Sequence, residues 1–174
     1  MYIMSKPKKV IIVTVLIVGI GVAYWLISPL FIIKEVHESV EEIITPKASE
    51  QMKEQQNVVS PPAKEALVPV VIRSGAFMDA DNFHKSSGTA QLIKIGEKYF
   101  VRFEDDFRTT NGPDLFVYFG KDGKYVAETK LGALKGNVGS QNYEVPANIN
   151  PADYNEVWIW CRAFFVAFGK AILQ

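Results

Sequence analysis

The chain has 174 residues, with 19 lysines and arginines balanced by 19 aspartates and glutamates, and one cysteine. The balance also holds within residues 71–174, which carry twelve charges of each sign, so the basic excess or stripe of a nucleic-acid binder is missing and no nucleic-acid partner is expected. A lone cysteine excludes an internal disulfide, and neither a phosphate-binding glycine-rich loop nor zinc-site spacing occurs.

In chain order, residues 1–9 form a short tail containing Lys6, Lys8 and Lys9. Residues 10–33 follow without one charged side chain. At ~1.5 Å per residue, a helix of that length reaches ~36 Å, enough to cross a bilayer core. A cleaved signal peptide has a shorter apolar region, ~7–15 residues, and a small-residue cleavage pattern that this run lacks. The expectation is one retained transmembrane helix over 10–33, with membrane lipid as its partner. Three lysines precede the run and only Lys34 immediately follows it, which puts the N-terminus in the cytoplasm and the C-terminal domain outside a cell membrane. Residues 34–66 are polar, with Pro46, Pro61 and Pro62, and read as a flexible stalk. Val36, Val40, Ile43 and Ile44 have helical spacing, so a short helix is expected at 35–45. His37 reads as a solvated linker residue.

From residue 67 to 174 the pattern changes to short strands separated by turn residues. Residues 89–95 and 99–103 flank Gly96-Glu97-Lys98 and predict a hairpin. Residues 115–119 predict a strand that ends in Gly120-Lys121-Asp122-Gly123. Residues 141–145 predict another, closed by Pro146. Asn150-Pro151 predicts one helical turn through Tyr154. Residues 157–161 and 164–168 predict the last strands. The fold class is therefore all-β, an antiparallel β-sandwich or barrel-like ectodomain preceded by one N-terminal transmembrane helix.

Cys161 closes the run Val157-Trp158-Ile159-Trp160-Cys161-Arg162. It is open to four readings: a packed small hydrophobe, an intermolecular link, a reactive thiol or a cofactor ligand. Strand alternation puts Val157, Ile159 and Cys161 on one face and Trp158, Trp160 and Arg162 on the other. Arg162 is then the wrong neighbour to lower the thiol pKa, and an apolar face raises it. Trp158, Trp160 and Arg162 form either a ligand-binding platform or a covered face. Asp105, Asp106, Asn111 and Asp114 are hard oxygen donors around one loop. They are the alternative to having no metal site, as a calcium cluster without EF-hand spacing.

Several motifs occur in a fixed order: Ser74-Gly75-Ala76-Phe77, His84-Lys85-Ser86-Ser87-Gly88-Thr89-Ala90, Phe103-Glu104-Asp105-Asp106-Phe107-Arg108-Thr109-Thr110-Asn111-Gly112-Pro113-Asp114-Leu115, Leu131-Gly132-Ala133-Leu134-Lys135-Gly136-Asn137-Val138-Gly139, and Val157-Trp158-Ile159-Trp160-Cys161-Arg162. Together they resemble the DM-thirteen domain family, an electron-transfer domain found beside DOMON domains, over about residues 70–174. The resemblance implies a β-rich extracytoplasmic module whose family-typical cysteine maps to Cys161. It also implies a redox role through a bare thiol or a prosthetic group such as haem. Cys161 and His84, the one histidine after residue 66, are the candidate haem ligands. Covalent attachment is excluded because no Cys-x-x-Cys-His occurs. The implied partner is a separate redox protein, DOMON-type or a cytochrome, and the chain is an accessory rather than an enzyme by itself. The alternative is a non-catalytic cell-surface binding or structural module with a buried cysteine.

Overall fold

The computed structural model describes residues 6–27, 32–44 and 68–174. Two helices come first, α1 (Lys6–Ile27) and α2 (Glu41–Ile44). Ten strands follow: β1 (Val70–Asp79), β2 (Ser86–Ser87), β3 (Thr89–Ile95), β4 (Lys98–Phe103), β5 (Arg108–Thr109), β6 (Leu115–Lys121), β7 (Lys124–Ala133), β8 (Gln141–Glu144), β9 (Glu156–Cys161) and β10 (Val166–Ile172). Eight of them form one sheet in the order β7-β6-β9-β10-β1-β3-β4-β8, and β2 pairs with β5. Every ladder is antiparallel. The end strands approach each other: Gly132 of β7 lies beside the Tyr143 ring of β8. The sheet is a nearly closed barrel, which shields the edges an open sheet would expose.

Two turns show how the sequence shapes this sheet. Asp122 and Gly123 both have positive φ, 54° and 76°, the conformation that a two-residue hairpin loop requires and that Asp-Gly tolerates. The β3–β4 hairpin pairs Ile95 with Lys98 across Gly96. Pro151–Asp153 form a single 3-10 turn, and Asn150 caps it by accepting from the Ala152 N–H at 3.2 Å. Inside the barrel, the rings of Phe77, Phe103 and Phe107 stand 4.6–5.1 Å apart, and Tyr143 packs on Phe103 at 5.3 Å. Gln141 is fully buried. Its Oε1 accepts from the Lys135 and Gly136 N–H groups and the Tyr143 hydroxyl, so it secures the β7–β8 loop.

The expected strand at 164–168 begins at Val166, because Phe164 and Phe165 belong to the turn before it. The two longest strands, β1 and β7, were not anticipated. The first helix is described over Lys6–Ile27, and residues 28–31 of the expected span 10–33 lie outside the described residues. Among the described residues no helix is long and apolar enough to cross a membrane; the side chains described in α1 are those of residues 10–24.

Residues 34–44, expected as the start of a stalk, lie against the barrel. Glu35 forms a parallel bridge with Val138, and the Val36 and Glu38 N–H groups donate to Val138 and Ser140 carbonyls, each at 3.0 Å. A side chain at Gly139, whose φ is +91°, would collide with the Val36 carbonyl. Glu38 accepts from Lys135 Nζ through both oxygens at 2.7 Å and from the Asn142 N–H at 2.8 Å. The expected helix at 35–45 reduces to the single turn α2, which brings Val40, Ile43 and Ile44 onto Ile93, Ile95 and Phe100 on the outside of β3 and β4. Residues 45–66 of the expected stalk lie outside the described residues.

The loops gather at two poles. One pole carries residues 80–88, 104–114, 134–140 and 162–165. The chain reaches the barrel at this pole: Asn111 Nδ2 donates to the Ile32 carbonyl at 3.0 Å and the Asn137 N–H to the Lys34 carbonyl at 2.8 Å. The docked segment yields a prediction. Ile93 is buried beneath it, so Ile93→Ala should cost about 2–4 kcal/mol in denaturant unfolding and weaken hydrogen-exchange protection at the Val36 and Glu38 amides. Unchanged protection there would mean that the apolar contact does not hold the segment.

Candidate functional site around Cys161

Alternation along β9 decides what each side chain meets. Val157, Ile159 and Cys161 are all 0% exposed and face the barrel interior. Cys161 is the last residue of its strand, paired with Leu115 of β6 and Val166 of β10. Its sequence neighbour Arg162 turns outward. The Arg162 guanidinium grips Asp114 through Nε and Nη2 at 3.1 and 3.2 Å and stands 3.8 Å over the Phe116 ring. The Asp114 hydrogen bond holds the guanidinium pKa above its ordinary value. The Arg162 charge is thus committed to Asp114 and Phe116 on the outer face.

A bulge lies close by. The β9–β10 register shifts between Ala167 and Gly169, which leaves Phe168 without a partner and turns its ring into the core. His84 packs on that ring from outside, with ring centroids 4.3 Å apart. A side chain at Gly112 would strike both Phe168 and Leu115, so these two apolar residues stand together at this end of the barrel. His84 therefore meets Phe168, not the thiol. Its Nδ1 is engaged by Asp81 Oδ2 at 2.7 Å. Among the described residues no hydrogen bond joins His84 to Cys161, and the ring's partners are Asp81 and Phe168.

These residues do not fit a haem held by Cys161 and His84. An axial thiolate needs an open face wide enough for a porphyrin, and Cys161 has no exposed surface. The cleft that its strand partner Leu115 helps to line, about 230 Å³ between Lys34, Asp114, Phe116 and Asn137, does not include Cys161 or His84 in its walls.

Trp158, Trp160 and Arg162 do share the outer face, and the structure adds partners that the sequence reading missed. Phe116 and Tyr118 of β6 lie directly across from Trp160 and Trp158. Tyr125 of β7 stacks on Trp160 with centroids 4.1 Å apart and planes 24° from parallel. Trp158 Nε1 donates to Glu156 Oε2 at 2.8 Å, and Lys170 Nζ stands 4.9 Å from the Trp158 ring. Gly120 is required beneath that ring, because a side chain there would collide with it. Period-two alternation at Phe116 and Tyr118 was the available signal, but only strand order could reveal that it meets β9. Each ring of this face is engaged by a neighbour, so the surface is a braced sheet exterior.

The four oxygen-donor residues disperse. Asp106 accepts from the Thr89 N–H and hydroxyl, each at 2.9 Å. Asp105 faces His37 at 3.5 Å, and hydrogen bonds from Ser140 and His37 lower its pKa. Asp114 serves Arg162, and Asn111 serves the Ile32 carbonyl. Among the described residues no group of three or more His, Cys, Asp or Glu side chains is arranged to hold a metal.

The sequence model of one protein family, described as Electron transfer DM13, matches residues 77–173. No curated protein and no solved structure is a match for the chain.

The pole beside Cys161 carries a pH-sensitive element. Asp81 Oδ1 accepts the Phe83 and His84 N–H groups at 2.7 and 2.8 Å. With the His84 side-chain bond as the largest cause, these bonds lower the Asp81 pKa from 3.8 to about 2. A depressed carboxylate pKa stabilises the loop above the unfolded value, and that contribution is lost as pH falls through the folded one. The Phe83 and His84 amide resonances should therefore titrate near pH 2 rather than 3.8, and Asp81→Asn should abolish the transition. A midpoint at the ordinary carboxylate value would disprove the capping role.

Proposed function

Because the chain belongs to the family described as Electron transfer DM13, we propose that its barrel is an electron-transfer accessory tethered to a membrane by α1, with Cys161 as its redox group. The family match carries this reading, since it extends from the end of β1 through Leu173. A lone thiol cannot close an internal disulfide, so its two-electron oxidised form is a sulfenic acid or a disulfide shared with a second molecule. That second molecule is a separate redox protein, DOMON-type or a cytochrome. Burial confines the chemistry to a locally opened state. Cys161 ends β9 directly before a four-residue turn, so fraying one strand end suffices to expose it.

The membrane tether is supported by the uncharged run of residues 10–33. The described side chains of α1 are all exposed and mainly apolar. The Thr14 hydroxyl returns to the Val10 carbonyl at 3.0 Å, which satisfies it without water. The lysines at 6, 8 and 9 favour a cytoplasmic N-terminus with the barrel outside.

One observation favours a second reading, a non-catalytic binding or structural module with a packed cysteine: the complete burial of Cys161. Thiol chemistry on the native full-length chain in membranes separates the two. The redox reading expects glutathione disulfide to convert Cys161 to a mixed disulfide without unfolding, at a rate that saturates with reagent because opening limits it. Modification that begins only at the unfolding transition would sink that reading and leave the packed cysteine.

A further inference from the structure

We propose that the pole carrying the 80–88, 104–114 and 162–165 loops is a lipid-contacting surface, on which the barrel rests at the membrane. The proposal builds on the reading of α1 as a membrane anchor. Its first support is the docked segment. Ile32 is already bound to Asn111 and Lys34 to Asn137, so only residues 28–31 separate the end of α1 from the barrel. Five Cα steps from Ile27 to Ile32 cover at most about 18 Å. Residues 45–67 add nothing to this reach, because the chain is held to the barrel on both sides of them, at Val40, Ile43 and Ile44 and again from Val70. The pole that receives the chain is therefore the one facing the bilayer.

The second support is what that pole displays. Phe83 is 85% exposed, Phe164 61% and Phe165 76%, beside Ile32 at 60% and Ile33 at 68%. Strand order makes these positions neighbours: Asn111, which binds Ile32, precedes β6; the turn with both phenylalanines joins β9 to β10; and the Phe83 loop leaves β1, next to β10. Phe165 has φ +56°, a backbone region that bulky residues avoid, yet its ring projects away from the core. Three large rings and two isoleucines on one rim exceed scattered surface apolarity and mark a contact site. A second exposed apolar run of the barrel among the described residues, 68–72, starts at the opposite pole.

Charge on the rim fits the bilayer interface. Asp79 is paired with Lys85 at 3.0 Å, Asp81 with His84 at 2.7 Å and Asp114 with Arg162 at 3.1 Å. Lys85 and Arg162 offset the charges of Asp79 and Asp114 at the interface, whereas the Asp81 charge is offset only when His84 is protonated. Apolar insertion, not attraction to anionic lipid, is therefore the source of affinity.

The test uses the full chain with Cys161→Ala in phosphatidylcholine nanodiscs, carrying one spin label at Phe164→Cys, Asp122→Cys or Gly19→Cys. Accessibility to oxygen and to an aqueous nickel chelate is measured at each position. The expected result is a label at 164 at the headgroup–acyl boundary and shielded several-fold from nickel relative to 122, with 19 deep in the bilayer. A second variant, Phe83→Ser with Phe165→Asn, changes only exposed positions and should return the 164 label to water. If 19 is buried while 164 is as nickel-accessible as 122, the lipid-contact proposal is overturned and the anchor stands. If 19 itself lies in water, the anchor reading fails and the proposal with it.

Discussion

Arg102 sets the constraint on which the arrangement of this chain depends. It lies on the outer side of β4, where a cation normally reaches water, yet it is buried. A guanidinium in that position is costly unless its donors are occupied. Nε binds the Glu104 carboxylate at 3.0 and 3.1 Å, while Nη1 binds the Asn142 side chain at 2.9 Å and the Glu38 backbone carbonyl at 3.0 Å. The last of these partners comes from the N-terminal segment. Covering Arg102 and docking residues 34–44 are one event, and Glu38 secures it from the other side through Lys135 and Asn142.

That event changes the relation between helix and barrel. A polar segment free of the domain would be a spacer whose reach grows with its length. A segment bound along the sheet exterior consumes its own length and fixes where the chain arrives. The apolar side of the same docking, Val40, Ile43 and Ile44 on Ile93, Ile95 and Phe100, supplies burial, while the polar side supplies register. The backbone bonds to Val138 and Ser140 add a strand-like pairing, so three kinds of interaction hold one short segment.

The strand pattern was legible where one face is buried and the other is not. Along β9 the alternation separated Cys161 from Arg162 correctly, because burial on a single face imposes period two. In β3 and β4 the pattern carried a second message. Leu92 and Ile93 are adjacent and both buried, as are Phe100 through Phe103. A strand buried on both faces needs a cover, and the helical spacing of Val40, Ile43 and Ile44 was the matching half of that signal. Nothing local links segments about fifty to sixty positions apart, so the pairing was not readable. The strand β7 was not readable because its side chains are largely exposed, with Lys124, Glu128 and Lys130 among them, so it lacks the period-two signal of a one-sided core. In β1, a bulge between Val71 and Arg73 breaks the period. The outer aromatic face required strand order: Phe116, Tyr125 and Trp160 come from three strands that only the sheet topology makes adjacent.

Burial of Cys161 and exposure of Phe164 and Phe165 are two sides of the same strand end. The thiol is the last inward residue of β9, and the rings follow within four positions. Any motion that frays this end to expose the thiol also moves the rings. On a barrel resting on lipid as we propose, the bilayer would hold the rings, and contact with the membrane would stabilise the closed state relative to the frayed one. Linkage is reciprocal: whatever binds the frayed end must weaken the lipid contact by the same free energy. A redox partner of the kind we propose would have two tasks that are thermodynamically one, lifting the turn and reaching the sulfur. In the folded state its complete burial closes the thiol off from adventitious oxidants.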